Sequence, residues 1–381
     1  MFSWESLHSV RVGGLAQAAT GLAEALAKKG QEVHLFTRIN DGQSDYEQIN
    51  GVHYHRCGFD PEGNILEFAW NMSRAMVERF RATEGAVGKF DIVHGHDWLV
   101  IDALNELKES HPIVLSYHST EHGRNGGRSG DWWEFREISG KEWYGGYITN
   151  TIMTVSQTMK EELMRLYQIP CLKIDVIPNG SNLKKYRKKV DPGRVKERYG
   201  IHPLAPVVLF VGRLAHQKGP DLLVEAIPHV LNHRRDARFI IVGDGGMKSH
   251  LEHRVREIGV SDAVRFLGSI SDEEYIDILN ACDIVCIPSR NEPFGLVLLE
   301  AWAAEKPVIA TDVGGLSENI ENFVNGIKVF PYPESIAWGI NYIINDANGV
   351  KWIGANGRKK ARELSWMRAA AKVLKIYSSL K

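Results

Sequence analysis

Nine strand-like apolar runs alternate with helical patterns from one end of the chain to the other, and this alternation limits the fold more than any other feature. The runs are EVHLFTR, DIVHGH, PIVLSYH, IMTVS and DVIPNG, then PVVLFVGR, RFIIVGDG, DIVCIPS and KPVIATD. Strand followed by helix followed by strand is the signature of a parallel sheet. Many of the runs are β-branched without strict alternation, as expected where helices cover both faces of a sheet. Two doubly wound α/β domains follow, and 381 residues suffice to give each its own core.

A polar, Lys-rich stretch from Asn182 to Gly200 separates the two strand series and contains Pro192 and Gly193. It reads as a linker with a solvated basic face. The predicted domains are 1–185 and 186–363, with a helix over 364–381. The first helix shows Leu15, Ala18, Ala19, Leu22, Ala25 and Leu26 at spacings of three and four, ending at Gly30 as a C-cap. Leu364, Met367, Ala370, Ala371, Leu374 and Tyr377 give the last segment a helical packing face. Only MFSWE precedes the loop region of Val12-Gly13-Gly14, so the first strand looks short. Either Met1 falls a few residues inside the natural start or this edge of the core is trimmed.

Acidic and basic residues nearly cancel, 47 against 46, and no long basic stripe is interleaved with aromatics. Nucleic acid is therefore not the expected main partner. No apolar run approaches the ~18 residues of a spanning helix, and MFSWESLH lacks the features of a secretion signal, so a cytoplasmic chain is expected. The four cysteines, Cys57, Cys171, Cys282 and Cys286, form no CxxC pair and read as reduced thiols. Cys282 and Cys286 belong to an apolar run and are expected as small buried hydrophobes.

The chemistry concentrates in NEPFGLVLLEA, where Glu292 and Glu300 lie eight residues apart around Phe294-Gly295, and in GRLAHQKG, about eighty residues upstream. A helix starting near Gly295 would aim free N–H groups at an anion, while Arg213 and Lys218 supply full positive charge. At ~1.5 Å per residue the two carboxylates would be roughly 12 Å apart, so they would hold different parts of a long ligand. The glycine turns Gly243-Asp244-Gly245-Gly246 and Gly314-Gly315 strengthen a diphosphate reading over plain salt bridging. In the N-terminal half, Gly13 and Gly14 stand before an amphipathic helix, without the GxGxxG of a dinucleotide site. His96 and Asp97 end one apolar strand and His118 another, where open α/β sheets place ligands. A metal there is disfavoured, because alternate strand positions send His94 and Asp97 to different faces. An imidazole at His118 can bond a sugar hydroxyl or help stabilise charge near the reacting carbon. Glu121 and the glycine-rich GRNGGRSG follow it, the latter as a loop over the acceptor side.

These residues together resemble the retaining glycosyltransferases of the GT-B type, family GT4, which includes glycogen synthases and sucrose-phosphate synthases. The resemblance covers essentially the whole chain. It is carried by Glu292 and Glu300 at Glu-x7-Glu spacing, Arg213 and Lys218 in GR…KG, VIPNG at Val176 to Gly180, and DVGG at Asp312 to Gly315. It implies two Rossmann-like domains facing across a cleft, the acceptor on the N-terminal one and the nucleotide-sugar donor on the C-terminal one, with the last helix crossing back. By this resemblance Arg213 and Lys218 neutralise the pyrophosphate, Glu292 lies beside the sugar, and Glu300 binds the ribose. Backbone groups of Phe294, Gly295 and Leu296 complete the phosphate site, His118 matches a histidine near the sugar, and Gly13 and Gly14 match a loop approaching the donor phosphate. Gly243, Asp244 and Gly245 are expected at the nucleotide, with the FLGSIS segment around Leu267 to Ser269 meeting the base.

The implied activity is transfer of a hexose, glucose by analogy, from an ADP-, UDP- or GDP-sugar to a carbohydrate acceptor, with retention and without a metal or other cofactor. Arg11 stands where glycogen synthases often carry Lys, which leaves the polymer acceptor open. A nucleotide-sugar epimerase and a catalytically silent nucleotide-sugar-binding module remain as alternatives. A pyridoxal-dependent phosphorylase lacks a convincing lysine context.

Overall fold

The computed structural model describes residues 1–380, apart from the side chain of Ala347. The described chain divides into two units, one comprising residues 1–124, 128–180 and 365–380, the other 125–127 and 181–364.

The first unit contains β1 (Val33–Arg38), β2 (Tyr46–Ile49), β3 (Val52–Cys57), β4 (Val93–His96), β5 (Ile113–Tyr117), β6 (Thr151–Thr154) and β7 (Ile174–Val176). They form a three-stranded sheet ordered β1-β3-β2 and a four-stranded sheet ordered β4-β5-β6-β7. All pairings are parallel except β2 with β3. Phe2 joins the two sheets through single bridges to Phe36 and Gly95. Its N–H donates to His94 O at 2.8 Å, and His96 N–H donates to Phe2 O at 3.0 Å. The short first strand thus lies between the two sheets of the unit. The buried faces of β4, β5 and β6 explain their unbroken apolar character.

The helix Gly14–Lys28 ends where expected, with Gly30 left-handed at φ +84°. Leu22 and Leu26 pack in one cluster with Leu35, Val114, Met153, Ala370 and Val373. The last two belong to the helix Trp366–Leu380, so the C-terminal segment completes the core of the first unit. The fit is close: a Cβ on Gly180 would come 2.0 Å from the Trp366 nitrogen.

The second unit holds β8 (Val207–Val211), β9 (Arg238–Val242), β10 (Val264–Gly268), β11 (Ile284–Ile287), β12 (Val308–Thr311) and β13 (Ile327–Val329). The sheet is fully parallel and ordered β10-β9-β8-β11-β12-β13. Its core includes Val208, Phe210, Leu223, Ile227, Phe239, Ile241, Ile309 and Ile340, with buried Cys286 as a small hydrophobe. The segment read as a solvated linker belongs to this unit. It contains the helix Pro192–Glu197, and three of its cations pair with carboxylates of the same unit: Lys185 with Asp272 at 2.7 Å, and Lys188 and Arg198 with Asp277 at 2.6 and 3.0 Å. Sequence spacing could not reveal these carboxylates, which lie more than seventy residues away. Among the described residues, no helix is long and apolar enough to cross a membrane.

Candidate active site

In the second unit the chain lays down β8, β9 and β10 in one direction, then returns to place β11, β12 and β13 on the other side of β8. The strand order reverses between β8 and β11, and in open α/β sheets ligands bind outside the carboxyl ends of the strands at such a point. Lys218 follows β8 and Glu292 follows β11. Lys218 Nζ lies 2.7 Å from Glu292 Oε2, which also accepts from Ser289 Oγ at 3.1 Å. Arg213, from the same turn as Lys218, donates to Gln217 Oε1 at 3.2 Å.

Three loops are bound together to create this pairing. Arg290 N–H donates to Gln217 O at 2.8 Å, and the Arg290 guanidinium grips Asp221 at 2.6 and 2.8 Å. Gly315 N–H donates to Glu292 O at 2.8 Å. The glycine turns serve this packing. A Cβ on Gly243 would meet Gly212 O at 2.0 Å, one on Gly245 would meet Leu214 O at 2.5 Å, and one on Gly219 would meet Pro288 O at 2.1 Å. Gly243 and Gly245 are thus required by loop-on-loop contact, a reason the sequence did not disclose. Asp244 accepts from Gly245 N–H at 2.8 Å, and its carboxyl is held below the usual range by that bond and by Lys248.

The helix expected near Gly295 spans Leu296–Ala303, with Gly295 as N-cap at φ +92° and no capping side chain. Glu292 therefore lies in the loop before the helix, and the helical rise assumed between it and Glu300 does not apply. The two carboxylates do have separate surroundings. Glu300 is buried, and its oxygens accept from Tyr186 at 2.9 Å and Tyr275 at 2.5 Å. Neither tyrosine was singled out from sequence, because each reaches Glu300 only through tertiary packing.

The first unit repeats the arrangement. Its strand order reverses between Phe2 and β4, the place where the Gly13-Gly14 loop and the His96-Asp97 pair emerge. Glu5, a buried residue that sequence reading passed over, accepts from Val12 N–H at 2.6 Å and Gly13 N–H at 2.8 Å. Two amides of the glycine loop are thus already committed to a carboxylate. Asp97 adopts a left-handed φ of +58°, a strained conformation for a residue with a Cβ, and accepts from His118 N–H at 2.7 Å. His96 Nδ1 lies 3.0 Å from His118 Nε2. The remaining ring nitrogens, His96 Nε2 and His118 Nδ1, are buried and make no hydrogen bond among the described residues. His94, in contrast, is held by Tyr377 and Ser116 at 2.6 and 2.8 Å. Glu121 is bound to Arg124 at 2.9 Å, and both are anchored on buried Glu142.

Burial pushes the His118 imidazole down to about 4 and that of His96 well below its ordinary value. His118 is therefore neutral at pH 7 and suited to hydrogen bonding rather than to carrying charge. Burial raises Asp97 to about 6, opposed by Arg124 and the amides of His118 and Ser119. His34 and His94 are also lowered by burial, as is His55, to about 3, and the Met1 amine falls to about 5. A depressed histidine binds fewer protons folded than unfolded, so its contribution is lost as pH falls from ~6.5 towards the folded value. Raised Glu5, Asp97 and Glu142 act in the opposite sense, but the five imidazoles and the amine outnumber them. The first unit should lose on the order of a few kcal/mol between pH 6.5 and 4. Urea midpoints measured across that window test this, and a midpoint independent of pH contradicts it.

Two family models match this chain, "Glycosyltransferase Family 4" over residues 12–185 and "Glycosyl transferases group 1" over residues 194–360. With its paired α/β units and the two strand-order reversals, the protein is a glycosyltransferase of the GT-B type, and it belongs to the GT4 family. It is 36% identical over 99% of its length to an uncharacterized glycosyltransferase of Methanocaldococcus jannaschii, covering 97% of that protein. A Mycobacterium tuberculosis glycogen synthase is 27% identical, with 100% of this chain and 94% of that one aligned. Among solved structures, sucrose-phosphate synthase from Thermosynechococcus elongatus superposes with a TM-score of 0.83 at 25% identity, covering 100% and 98% of the two chains.

Proposed function

We propose that the protein transfers a hexose, glucose in the first instance, from a nucleoside-diphosphate sugar to a carbohydrate acceptor with retention of anomeric configuration. The observation that carries this reading is the Lys218–Glu292 pair at the strand-order reversal of the second unit, beside a helix start without a capping side chain. The diphosphate takes the positive end of that helix together with Lys218 and Arg213, which stabilise it as it leaves and remove the need for a metal. Glu292 holds the transferred sugar, and Phe294, Gly295 and Leu296 offer backbone groups to the phosphates. Glu300, whose oxygens accept from Tyr186 and Tyr275, binds the ribose hydroxyls in this reading. Gly243, Asp244 and Gly245 border the nucleotide.

The second unit is the donor domain in this reading and the first the acceptor domain, with His96, Asp97 and Glu121 on the acceptor side. His118 Nδ1 offers a hydrogen bond to a sugar hydroxyl, and Gly14 the approach to the donor phosphate. A departing phosphate that accepts the acceptor's proton requires no covalent nucleophile. The thiols of Cys57, Cys171, Cys282 and Cys286 are free, which suits a cytoplasmic protein.

A sugar-phosphate acceptor is the second reading, favoured by a Nocardia farcinica relative named D-inositol 3-phosphate glycosyltransferase, 30% identical over 97% of this chain. Nucleoside diphosphate release is to be measured with ADP-, UDP- and GDP-sugars, each with maltooligosaccharide, hexose phosphate or inositol phosphate. Acceptor-stimulated release with one donor is expected, and the product's anomeric configuration tests retention. Conversion of the donor without an acceptor would establish the epimerase, whereas donor binding without any turnover would establish the silent module.

A further inference from the structure

We propose that the second unit carries an additional carbohydrate-binding site, an aromatic-walled platform beyond the carboxyl ends of β12 and β13 that holds a neutral hexose oligosaccharide. Local sequence builds it. The helix Pro333–Ile344 turns Ile336, Ile340 and Ile343 into the core and leaves Trp338 and Tyr342, one turn apart, outside. Just before it, Phe330 and Tyr332 are 61% and 47% exposed, with rings parallel within 5° and centroids 5.9 Å apart. Rings of this size are normally buried or occupied by a partner, and five lie together here within twenty residues: Phe323, Phe330, Tyr332, Trp338 and Tyr342.

Backbone geometry makes the exposure specific. Phe323 is held at φ +63°, a region a bulky side chain avoids, by a turn in which its N–H donates to Gly326 O at 2.8 Å. The outcome of that strain is a ring 43% exposed, standing edge-on to Trp338 at 6.3 Å and 89° and against Tyr342 at 5.3 Å. Trp338 is thereby braced in position.

The braced ring borders a cavity of about 520 Å³, shared with Phe330 and Tyr332 and with Asp312, Asn322 and Glu334. This volume lies within the range of small-ligand pockets. Apolar ring faces among carboxylate and amide groups match a pyranose, whose C–H face packs on an aromatic ring while its hydroxyls donate and accept around the edge. The charges speak against the other candidates. The cation lining the cavity, Lys328, is neutralised by Asp312 at 3.1 Å, which leaves the charge of Glu334 to disfavour a phosphate or an anionic lipid surface. The platform lies at the tips of β12 and β13, outward from the β8–β11 reversal that Lys218 and Glu292 flank.

Calorimetric titration of the full chain with maltoheptaose, cellohexaose and laminarihexaose tests the site without requiring turnover. At least one should bind, with affinity at least tenfold weaker in Trp338→Ala and in Tyr332→Ala, both surface changes checked for an unchanged melting temperature. The readout is binding and not turnover, so failure of the transferase reading would leave this result standing. No binding by any of the three sugars overturns the proposal, as does unchanged affinity in Trp338→Ala. Trp338-dependent binding to phosphatidylglycerol vesicles in place of the sugars would overturn it in favour of a membrane surface.

Discussion

Replacing Lys218 by alanine is expected to lower kcat by on the order of 10² to 10³, the scale for removing one donor aimed at developing negative charge. Lys218 is placed for this by the left-handed Gly219 on one side and the Arg290–Gln217 backbone bond on the other. Its ammonium serves two partners in turn. It neutralises Glu292, which is only 7% exposed, and in the proposed reaction it would share its charge with the diphosphate once donor binds. The substitution therefore has a second consequence. It leaves a nearly buried carboxylate with Ser289 as its remaining side-chain donor among the described bonds, and should cost roughly 1–3 kcal/mol of stability, less than a fully buried pair because Lys218 is partly exposed. The double variant Lys218→Ala with Glu292→Gln separates the two effects: its melting temperature should recover while its turnover should not. A kcat within twofold of wild type in Lys218→Ala would sink the assignment.

Gly314→Ala should be comparably damaging although the residue carries no functional group. A Cβ there would lie 2.2 Å from the carbonyl oxygen of Glu292 and 3.0 Å from its carbonyl carbon, and the residue has φ +50°. Both atoms are backbone, so no side chain can rotate away. Either the loop carrying Glu292 moves, or the turn after β12 does, and the Gly315 N–H bond to Glu292 O is broken in each case. Overpacking and left-handed strain together suggest a loss of roughly 2–4 kcal/mol, and a displaced Glu292 should reduce kcat by at least tenfold. Gly246→Ala is the control, since a Cβ there meets nothing within 4 Å. Equal melting temperatures and rates for the two variants would show that the close approach does not matter.

The alternation of apolar runs was enough to expect parallel sheets, because strands covered on both faces leave a hydrophobic trace that surface strands do not. The exceptions are instructive. The antiparallel pair β2–β3 turns at Asn50-Gly51, both with positive φ, a hairpin signal that was present in the sequence but obscured by the exposed, polar character of β2. Three-residue β13 did not register, its short apolar run being interrupted by Lys328. In the site, Lys218, Arg213 and His118 stood out because each follows an apolar strand, where open α/β sheets place ligands, and Glu292 because it stands eight residues before Glu300 at a helix start. Glu5, Tyr186, Tyr275 and Glu142 did not, since a lone carboxylate or phenol within a helix or loop has no local signature.

The alternation of strands and helices, the C-terminal end of the first helix and many residues at the strand tips were legible in the sequence, because they depend on periodicity and on turn chemistry that act over a few residues. Tertiary structure decided which strand tips became neighbours. The return of the chain past β8 brings Lys218 and Glu292 to 2.7 Å across 74 residues, and the passage of Phe2 between β1 and β4 sets the glycine loop beside His96 and Asp97. It also decided protonation. His118 is held neutral by desolvation of its ring, whose Nδ1 is shut off from solvent, and this depends on distant segments of the chain and therefore leaves no mark on the residues beside it.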